Sequence, residues 1–264
     1  MSNIHPTAII EDGANIAKSA KVGAYTFIDK GVVLDENVEV FQGAQIWGNT
    51  KVGSDTKIYS HAVIGQVPQD LKFHGENVEL IIGKNNTIRE FAFFNPGTEN
   101  DKGYTKIGDN NLFMAYTHVA HDVVVGDNNI FANNVALAGH VEVGNYVVIG
   151  GHTPVHQFCK IGDYAMIGGA SALTQDIPPF CLAEGNRANI KSLNLVGIRR
   201  KLPKDDVEAI LSAYKQLFRG QKPLKESAKE LLEQSSNEKV KMLCSFILDT
   251  QRGIPYERNI KNDK

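Results

Sequence analysis

The sequence is poor in the residues that stabilise small secreted or zinc-bound folds. Its 264 residues include only three cysteines, Cys159, Cys181 and Cys244, an odd set without CxxC spacing. This usage favours a reducing compartment and argues against a disulfide framework or a zinc knuckle. Cys159 falls on an inward position of the repeat described below. We interpret it as a core residue and not as a nucleophile.

An excess of one charge and long apolar runs are also missing. The 28 basic residues nearly balance the 30 acidic ones, so no global field is expected to recruit nucleic acid or anionic lipid. No window approaches the roughly twenty apolar residues of a membrane span. The first residues, MSNIHPTAII, lack the basic start and apolar run of a signal peptide. We therefore expect a cytoplasmic protein with no membrane span and no nucleic-acid partner.

An apolar residue recurs at every sixth position along most of the chain. The series is unbroken over two long stretches, which run through Ile4, Ile10, Ile16, Val22, Ile28, Leu34, Val40, Ile46, Val52, Ile58 and Ile64, and through Ile107, Phe113, Val119, Val125, Phe131, Leu137, Val143, Ile149, Val155, Ile161, Ile167 and Leu173. Neither a helical period nor a simple alternation explains this spacing. It predicts a parallel β-helix, in which six residues form one side of a triangular coil and eighteen form the whole coil.

Two insertions interrupt the repeat. The first is the string GQVPQDLKFHGENVELI after Ile64, and the second is NPGTENDKGYTK after Phe94. Each predicts a loop that leaves the prism. Long loops on a rigid scaffold often carry binding residues, so QDLK at 69–72 is a candidate binding segment. Lys72 is equally well explained as a solvated charge.

The pattern changes near the C-terminus. We expect the coils to end at Asp176-Ile177-Pro178-Pro179, because proline cannot donate to a further strand. The strings PKDDVEAILSAYKQLFRG, PLKESAKELLEQS and NEKVKMLCSFILDTQRG then each predict an amphipathic helix. The predicted fold is mainly β, with a β-helical domain at residues 1–190 and a small α-helical domain at residues 191–264.

Histidines cluster within the second stretch of the repeat. Residues eighteen apart lie above one another in adjacent coils, so Asp122 is expected beneath His140 and His121 beneath Gly139. His118, His121 and Asp122 supply the components of a general base with an orienting acid. A glycine such as Gly139 lets a carbonyl carbon approach closely, and an oxyanion needs backbone donors. The alternative is that these side chains form hydrogen-bonding ladders at the corners.

The motifs THVAHD, LAGHV, VHQF and NRANIKSLNLVGIRRK, in this order and with the break at QDLK, closely resemble those of the UDP-N-acetylglucosamine O-acyltransferases that open lipid A biosynthesis. The resemblance covers essentially the whole chain. It implies a left-handed parallel β-helix assembled as a homotrimer, with active sites in the clefts between subunits. The hand follows from the resemblance alone, since the general rule for parallel crossovers favours a right-handed coil.

The resemblance also implies the reaction and its residues. In that family an acyl carrier protein delivers a 3-hydroxyacyl group on phosphopantetheine, and the 3-hydroxyl of the sugar attacks the thioester without a metal or a bound cofactor. By match of motif, His121 would be the general base, Asp122 its orienting partner and the Gly139 amide the oxyanion donor. Gly169 matches the position that limits the acyl groove, although a glycine corner also explains it. The matches to substrate contacts are Asp70, Lys72, His118, His140, His156, Gln157, Asn194 and Arg200.

Three other functions remain open at this point. The acceptor of the same reaction could carry an amine in place of the 3-hydroxyl, which would give an amide. A zinc hydratase of the γ-carbonic anhydrase type uses the same prism with three histidine ligands, although the spacing of HVAHD suits a base better. A non-catalytic scaffold would not need clustered histidines or two irregular loops.

Overall fold

The structure is a computed structural model that describes residues 3–99 and 101–257. Met1, Ser2, Asn100 and 258–264 lie outside the described residues, so the last seven residues of the predicted helical domain are not covered.

Within these ranges the chain forms short strands followed by helices. In chain order the strands are β1 (Ile9–Ile10), β2 (Asn15–Ile16), β3 (Lys21–Val22), β4 (Phe27–Ile28), β5 (Val33–Leu34), β6 (Glu39–Val40), β7 (Gln45–Ile46), β8 (Asn49–Val52), β9 (Lys57–Ile58), β10 (Val63–Ile64), β11 (Glu79–Ile82), β12 (Thr87–Ile88), β13 (Phe93–Phe94), β14 (Tyr104–Ile107), β15 (Leu112–Phe113), β16 (His118–Val119), β17 (Val124–Val125), β18 (Ile130–Phe131), β19 (Ala136–Leu137), β20 (Glu142–Val143), β21 (Val148–Ile149), β22 (Pro154–Val155), β23 (Lys160–Ile161), β24 (Met166–Ile167), β25 (Cys181–Glu184) and β26 (Asn189–Leu193). The helices are α1 (Leu195–Lys201), α2 (Lys204–Arg219), α3 (Leu224–Gln234) and α4 (Glu238–Asp249).

Every third strand belongs to the same parallel sheet, so the chain winds around a prism with three faces. One sheet holds eight strands from β1 to β22, the second eight from β2 to β23, and the third ten, ending in β25 and β26. The register pairs residues eighteen apart, as in His118 with Ala136 and Val125 with Val143. The predicted parallel β-helix with eighteen-residue coils is confirmed.

The core follows from the position of the repeat within each strand. The second residue of the two-residue strands points inward and is the apolar residue of the predicted series. Phe94, Phe113 and Phe131 are wholly buried and form a column, with ring centroids 4.9 and 4.6 Å apart. Cys159 is buried in the same core, and burial raises the pKa of its thiol to about 11. Its predicted role in packing is confirmed.

Both predicted loops leave the prism at the expected places. The spacing between paired residues grows from eighteen to thirty across the first loop, where Val52 pairs with Ile82. It is twenty-five across the second loop, where Ile82 pairs with Ile107. The coils on either side remain in register, because each loop begins and ends at a corner.

The expected end of the coils at the two prolines is wrong. β25 pairs in parallel with β24, and β26 then returns antiparallel to β25. Pro178 and Pro179 lie at a corner before β25, where the ladder needs no backbone donor. β26 extends across residue 190, and we retain the division into domains at that residue as a proposal.

The helices follow the hairpin of β25 and β26. The three predicted helices are present as α2, α3 and α4, and α1 is an additional short helix that the sequence did not predict. The apolar stripe of α2 is buried through Val207, Ile210, Tyr214 and Leu217. None of the helices in the described part of the chain has the length and hydropathy needed to cross a bilayer.

We expect Phe113→Ala to lower the free energy of unfolding by about 3–5 kcal/mol, because it removes the middle ring of a buried column and leaves a cavity that neighbouring coils cannot fill. Chemical denaturation at fixed protein concentration measures the change. Ile9→Ala is the control, since Ile9 is 59% exposed and its truncation should cost far less. Equal losses for the two variants would contradict the assigned core.

Candidate active site

A histidine and an aspartate form a hydrogen-bonded pair at the corner after β16. The Nδ1 atom of His121 lies 2.9 Å from Oδ2 of Asp122. Asp122 is wholly buried with φ of 59°, a conformation that aspartate tolerates better than most residues. An ionised carboxylate only accepts hydrogen bonds, so Nδ1 carries the proton. The other ring nitrogen, Nε2, is left as an acceptor.

Thr98, in the second loop, supplies the remaining donors to Asp122. Its backbone N–H donates to Oδ1 at 3.0 Å, and its hydroxyl donates to Oδ2 at 2.6 Å. Burial alone would raise the pKa of Asp122, but the hydrogen bonds from His121 and Thr98 more than offset it and lower the pKa. Asp122 is therefore held as a carboxylate without contact with solvent.

His121 and His118 have opposite electrostatic environments. The pKa of His121 is raised, first by its hydrogen bond to Asp122 and further by the charges of Asp122, Asp70 and Asp101. The pKa of His118 is lowered, chiefly by burial. The ring of His118 is anchored through Nδ1, which donates to the carbonyl of Phe93 at 3.0 Å. His118 is thus a neutral side chain, whereas His121 is positioned to hold a proton.

Gly139 lies against the free edge of the His121 ring, as the stacking rule predicted. A Cβ atom at this position would lie 2.7 Å from Cε1 and 2.8 Å from Nε2 of His121. Any side chain at residue 139 would therefore displace the ring. Within the described chain the Gly139 amide donates no hydrogen bond to another protein group, so it is available to an external acceptor.

These residues line one cleft with a volume of about 280 Å³. His118, His121 and Gly139 form one part of its wall, and the remaining lining is mostly small or apolar: Gln69, Asn95, Ala120, Ala136, Ala138, Pro154 and Val155. The cleft therefore combines two histidine rings and one free amide with apolar surface, an arrangement that suits a proton transfer at the end of an aliphatic chain.

Asn95 attaches the first loop to this wall. Its side-chain amide donates to the carbonyls of Gln66 and Val67 at 2.7 and 2.9 Å. The loop then brings Gln69 to the cleft and places the charge of Asp70 close enough to act on His121. The backbone N–H of Lys72, which is exposed, donates to Oδ1 of Asp70 at 3.0 Å.

The second loop contributes an acid to His140. Oδ2 of Asp101 lies 2.6 Å from Nδ1 of His140. The His140 ring stacks on Phe158 with centroids 4.4 Å apart and meets His121 edge-on at 5.0 Å. His140 therefore belongs to the same wall as His121, with its orientation fixed by one carboxylate and one aromatic face.

The remaining predicted site residues lie further away or elsewhere. His156 and Gln157 are exposed on the next coil, where the Phe158 N–H donates to the Gly139 carbonyl at 3.2 Å. Asn194 and Arg200 line a separate depression of about 460 Å³ together with Asn110, Leu112, Asn128, Asn129, Ile130, Tyr146, Val148, Tyr164, Gly197 and Lys201. The Asn194 side chain also caps α1 by accepting from the Gly197 N–H at 3.0 Å. Within a single chain, Asn194 and Arg200 do not reach the cleft at His121.

Among the described residues, His121, Asp122 and His140 form the one group with ligand atoms close enough for a metal ion, within 4.8 Å of one another. The Nδ1 atoms of both histidines and both carboxylate oxygens of Asp122 already have protein partners. Nδ1 of His121 donates to Asp122, Nδ1 of His140 contacts Asp101, and both oxygens of Asp122 accept from Thr98. The donor set of this group fits an acid–base relay better than a metal centre.

Sequence reasoning did not identify Thr98, Asp101 or Asn95, and it included Gln69 only as part of the candidate segment QDLK. The rule that residues eighteen apart stack in space places side chains within coils only, and all four lie in the loops or at their edges. The signal available was the interruption itself, which identified the segments but not the residues within them.

The prism of hexapeptide coils with a histidine–aspartate pair beside a glycine amide defines a hexapeptide-repeat acyltransferase. Residues 104–139 match the family model described as bacterial transferase hexapeptide (six repeats), and residues 176–255 match the second domain of the UDP-N-acetylglucosamine O-acyltransferases. An acyl-[acyl-carrier-protein]–UDP-N-acetylglucosamine O-acyltransferase of Sulfurimonas denitrificans is 60% identical over 98% of this chain and 99% of its own length. That of Campylobacter concisus is 53% identical over 97% and 98%. The chain belongs to this family of O-acyltransferases.

Solved structures agree with this assignment. The UDP-N-acetylglucosamine acyltransferase from Campylobacter jejuni is 52% identical, with a TM-score of 0.93 over 97% of this chain and all of that one. The LpxA structure from Acinetobacter baumannii is 39% identical, with a TM-score of 0.92 over 96% of this chain and 99% of that one.

We expect His121 to titrate above the ordinary histidine value of about 6.5 and His118 below it, because a carboxylate stabilises one cation while burial opposes the other. Histidine-selective NMR as a function of pH measures both. Asp122→Asn removes the partner charge and should lower the pKa of His121. A His121 pKa that does not change in this variant would contradict the assigned hydrogen bond.

Proposed function

We propose that this protein transfers a 3-hydroxyacyl group from acyl carrier protein to the 3-hydroxyl of UDP-N-acetylglucosamine, the first step of lipid A biosynthesis, in the cytoplasm. Family membership across nearly the full length supports the reaction. The observation that carries the mechanism is the position of His121, whose Nδ1 is held by Asp122 while Nε2 lies beside Gly139.

The proposed chemistry begins with a proton transfer. Neutral His121 takes the proton of the sugar 3-hydroxyl on Nε2 while the oxygen forms a bond to the thioester carbon. The ring becomes a cation next to Asp122, which is already ionised and buried. That neighbouring charge stabilises the imidazolium as it forms, which is the role that the raised pKa of His121 indicates.

The tetrahedral intermediate then needs a donor for its oxyanion. The Gly139 amide is the proposed donor, since it has no protein partner in the described chain and no side chain blocks its approach. Collapse of the intermediate breaks the carbon–sulfur bond, and the phosphopantetheine thiolate leaves and takes up the proton that His121 holds on Nε2, which returns the ring to its neutral form. These reaction steps use no metal and no bound cofactor, and acyl carrier protein is a co-substrate.

Substrate binding is proposed to involve two subunits. His118 lines the same cleft as His121, the His140 ring meets His121 edge-on, and the charge of Asp70 acts on His121. The resemblance adds Lys72, His156 and Gln157 as further contacts. Asn194 and Arg200 line the other depression of the same chain. A homotrimer that places the depression of one subunit beside the cleft of the next would complete the nucleotide site, with Asn194 and Arg200 toward the nucleotide.

An amine in place of the sugar 3-hydroxyl would use the same base and the same oxyanion donor, and the product would be an amide. The family assignment favours the hydroxyl and gives no support to the zinc hydratase or the non-catalytic scaffold. A direct comparison of the two acceptors distinguishes these products.

We expect wild-type protein to transfer the 3-hydroxyacyl group from acyl carrier protein to UDP-N-acetylglucosamine, and His121→Ala to reduce kcat by about 10²–10⁴-fold because the base is removed. The assay is run in parallel with the 3-amino analogue of the sugar. Unchanged size-exclusion and circular-dichroism profiles would show that the variant stays assembled and folded.

A strong preference for the 3-amino analogue would keep the mechanism and change the product. Absence of transfer to either acceptor by properly assembled wild-type protein would contradict the proposed function. Loss of assembly together with activity in His121→Ala would contradict the role of His121 as a base that faces a cleft.

Gly169 is proposed to limit the length of the acyl chain. It is exposed, and a Cβ atom there would come no closer than 3.4 Å to the Gly151 carbonyl oxygen, an ordinary contact. The neighbouring Gly168 is different, since a Cβ atom would lie 2.8 Å from Cβ of Glu184. The backbone therefore tolerates a side chain at residue 169 better than at residue 168.

We expect Gly169→Met to fold normally and to shift the preferred acyl donor to a shorter chain, because the added side chain occupies the proposed groove. Competition between acyl carrier proteins that carry 3-hydroxyacyl chains of different length measures the preference. Gly169→Ala serves as the matched small variant and should shift the preference less. An unchanged profile in folded Gly169→Met would remove residue 169 from the acyl groove.

A further inference from the structure

Asp122 is a buried charge that depends on a residue outside its own coil. It is wholly buried, and His121 occupies only one of the sites at which its carboxylate can accept a hydrogen bond. A buried carboxylate that lacks donors is costly and takes up a proton. The other donors to its side chain, the amide and hydroxyl described above, both belong to Thr98.

The position of Thr98 is tightly determined. It follows β13 and is only 4% exposed. The preceding Gly97 packs so closely on the next turn of chain that a Cβ atom would lie 2.2 Å from the backbone nitrogen of Tyr104. The carbonyl of Thr98 also accepts from the N–H groups of Asp101 and Gly103 at 3.3 and 3.0 Å. One residue thus contacts Asp122 and fixes the turn that presents Asp101 to His140.

We propose that Thr98 is a positioning residue for acyl transfer: its hydroxyl and amide hold Asp122 ionised and oriented, so that Asp122 keeps His121 with Nδ1 protonated and Nε2 toward the cleft. The inference rests on the proposed function. It extends the site to a loop residue that makes no hydrogen bond to His121 and does not line the cleft.

The protonation state of Asp122 explains why this matters. A protonated Asp122 could donate to Nδ1 of His121, which would move the ring proton to Nε2 and leave the cleft with a donor where a base is required. The Thr98 hydroxyl opposes that state because it is a donor aimed at the oxygen that His121 also contacts. The Thr98 hydroxyl also disperses the charge of Asp122. Removal of this hydroxyl should therefore make the carboxylate hold the proton of His121 more strongly.

The test compares Thr98→Val, which keeps the shape and removes the hydroxyl, with Thr98→Ser, which restores it. We expect Thr98→Val to lower kcat by about tenfold to hundredfold, the range for a hydrogen bond to a charged group. The KM for the nucleotide sugar should change little. The acidic limb of the kcat–pH profile should move to higher pH, and Thr98→Ser should recover both properties.

The pH profile separates positioning from simple destabilisation. Groups that act on His121 or on Asp122 are unchanged in both variants and keep their contributions: Asp70, Asp101, Lys102, His118 and His140. Thr56→Val is the matched control, because Thr56 is also buried and its hydroxyl donates to the Gly83 carbonyl at 3.1 Å away from the cleft. It should leave kcat and the acidic limb at wild-type values. Thermal unfolding of all three variants monitors the fold.

Wild-type kcat and an unshifted acidic limb in folded Thr98→Val would overturn the inference. A uniform loss of rate at every pH, with no shift of the acidic limb, would also overturn it, because it would reduce Thr98 to a structural residue. Failure of wild-type protein to acylate either acceptor would instead contradict the proposed function. If Thr98→Val does not fold, a wild-type profile in folded Thr98→Ala would contradict the inference in the same way.

Discussion

The stacking of each coil on the next is the interaction on which the rest of the molecule depends. Two-residue strands are too short to be stable alone, and they persist here because each one pairs with neighbours above and below. The apolar side of a coil is covered only by the inward residues of the same coil and of those next to it. A change of register by one residue would turn this series outward, so the repeat must be kept wherever the chain does not leave the prism.

The same stacking creates the wall that carries the proposed catalytic residues. Residues on successive coils are held at the separation of neighbouring strands, about 4.8 Å, without any flexible linker between them. His121 and Gly139 meet for this reason, and the amide of the glycine comes to lie beside the ring of the histidine. In the proposed mechanism this rigid scaffold holds the base and the oxyanion donor in place before any substrate arrives, which is the condition for electrostatic catalysis.

The loops add what the regular coils cannot supply. A coil offers a side chain to its neighbours only at fixed spacings, whereas the buried charge of Asp122 needs several donors from different directions. Thr98 provides them from the second loop, and Asn95 fixes the first loop to the same wall. The two interruptions of the repeat therefore converge on the pair of His121 and Asp122, of which Asp122 is both buried and ionised.

The sequence by itself determined the period, the inward residues, the two loops and the meeting of His121 with Gly139, because in a β-helix a spacing along the chain is a position in space. Its expectation that the prolines end the coils failed, since a proline at a corner costs no ladder bond. Only the tertiary structure decided which loop residues reach Asp122 and His140, because an irregular segment has no period to read. The tertiary structure also places Asn194 and Arg200 away from the cleft. The reason is that α1 covers a different face of the prism.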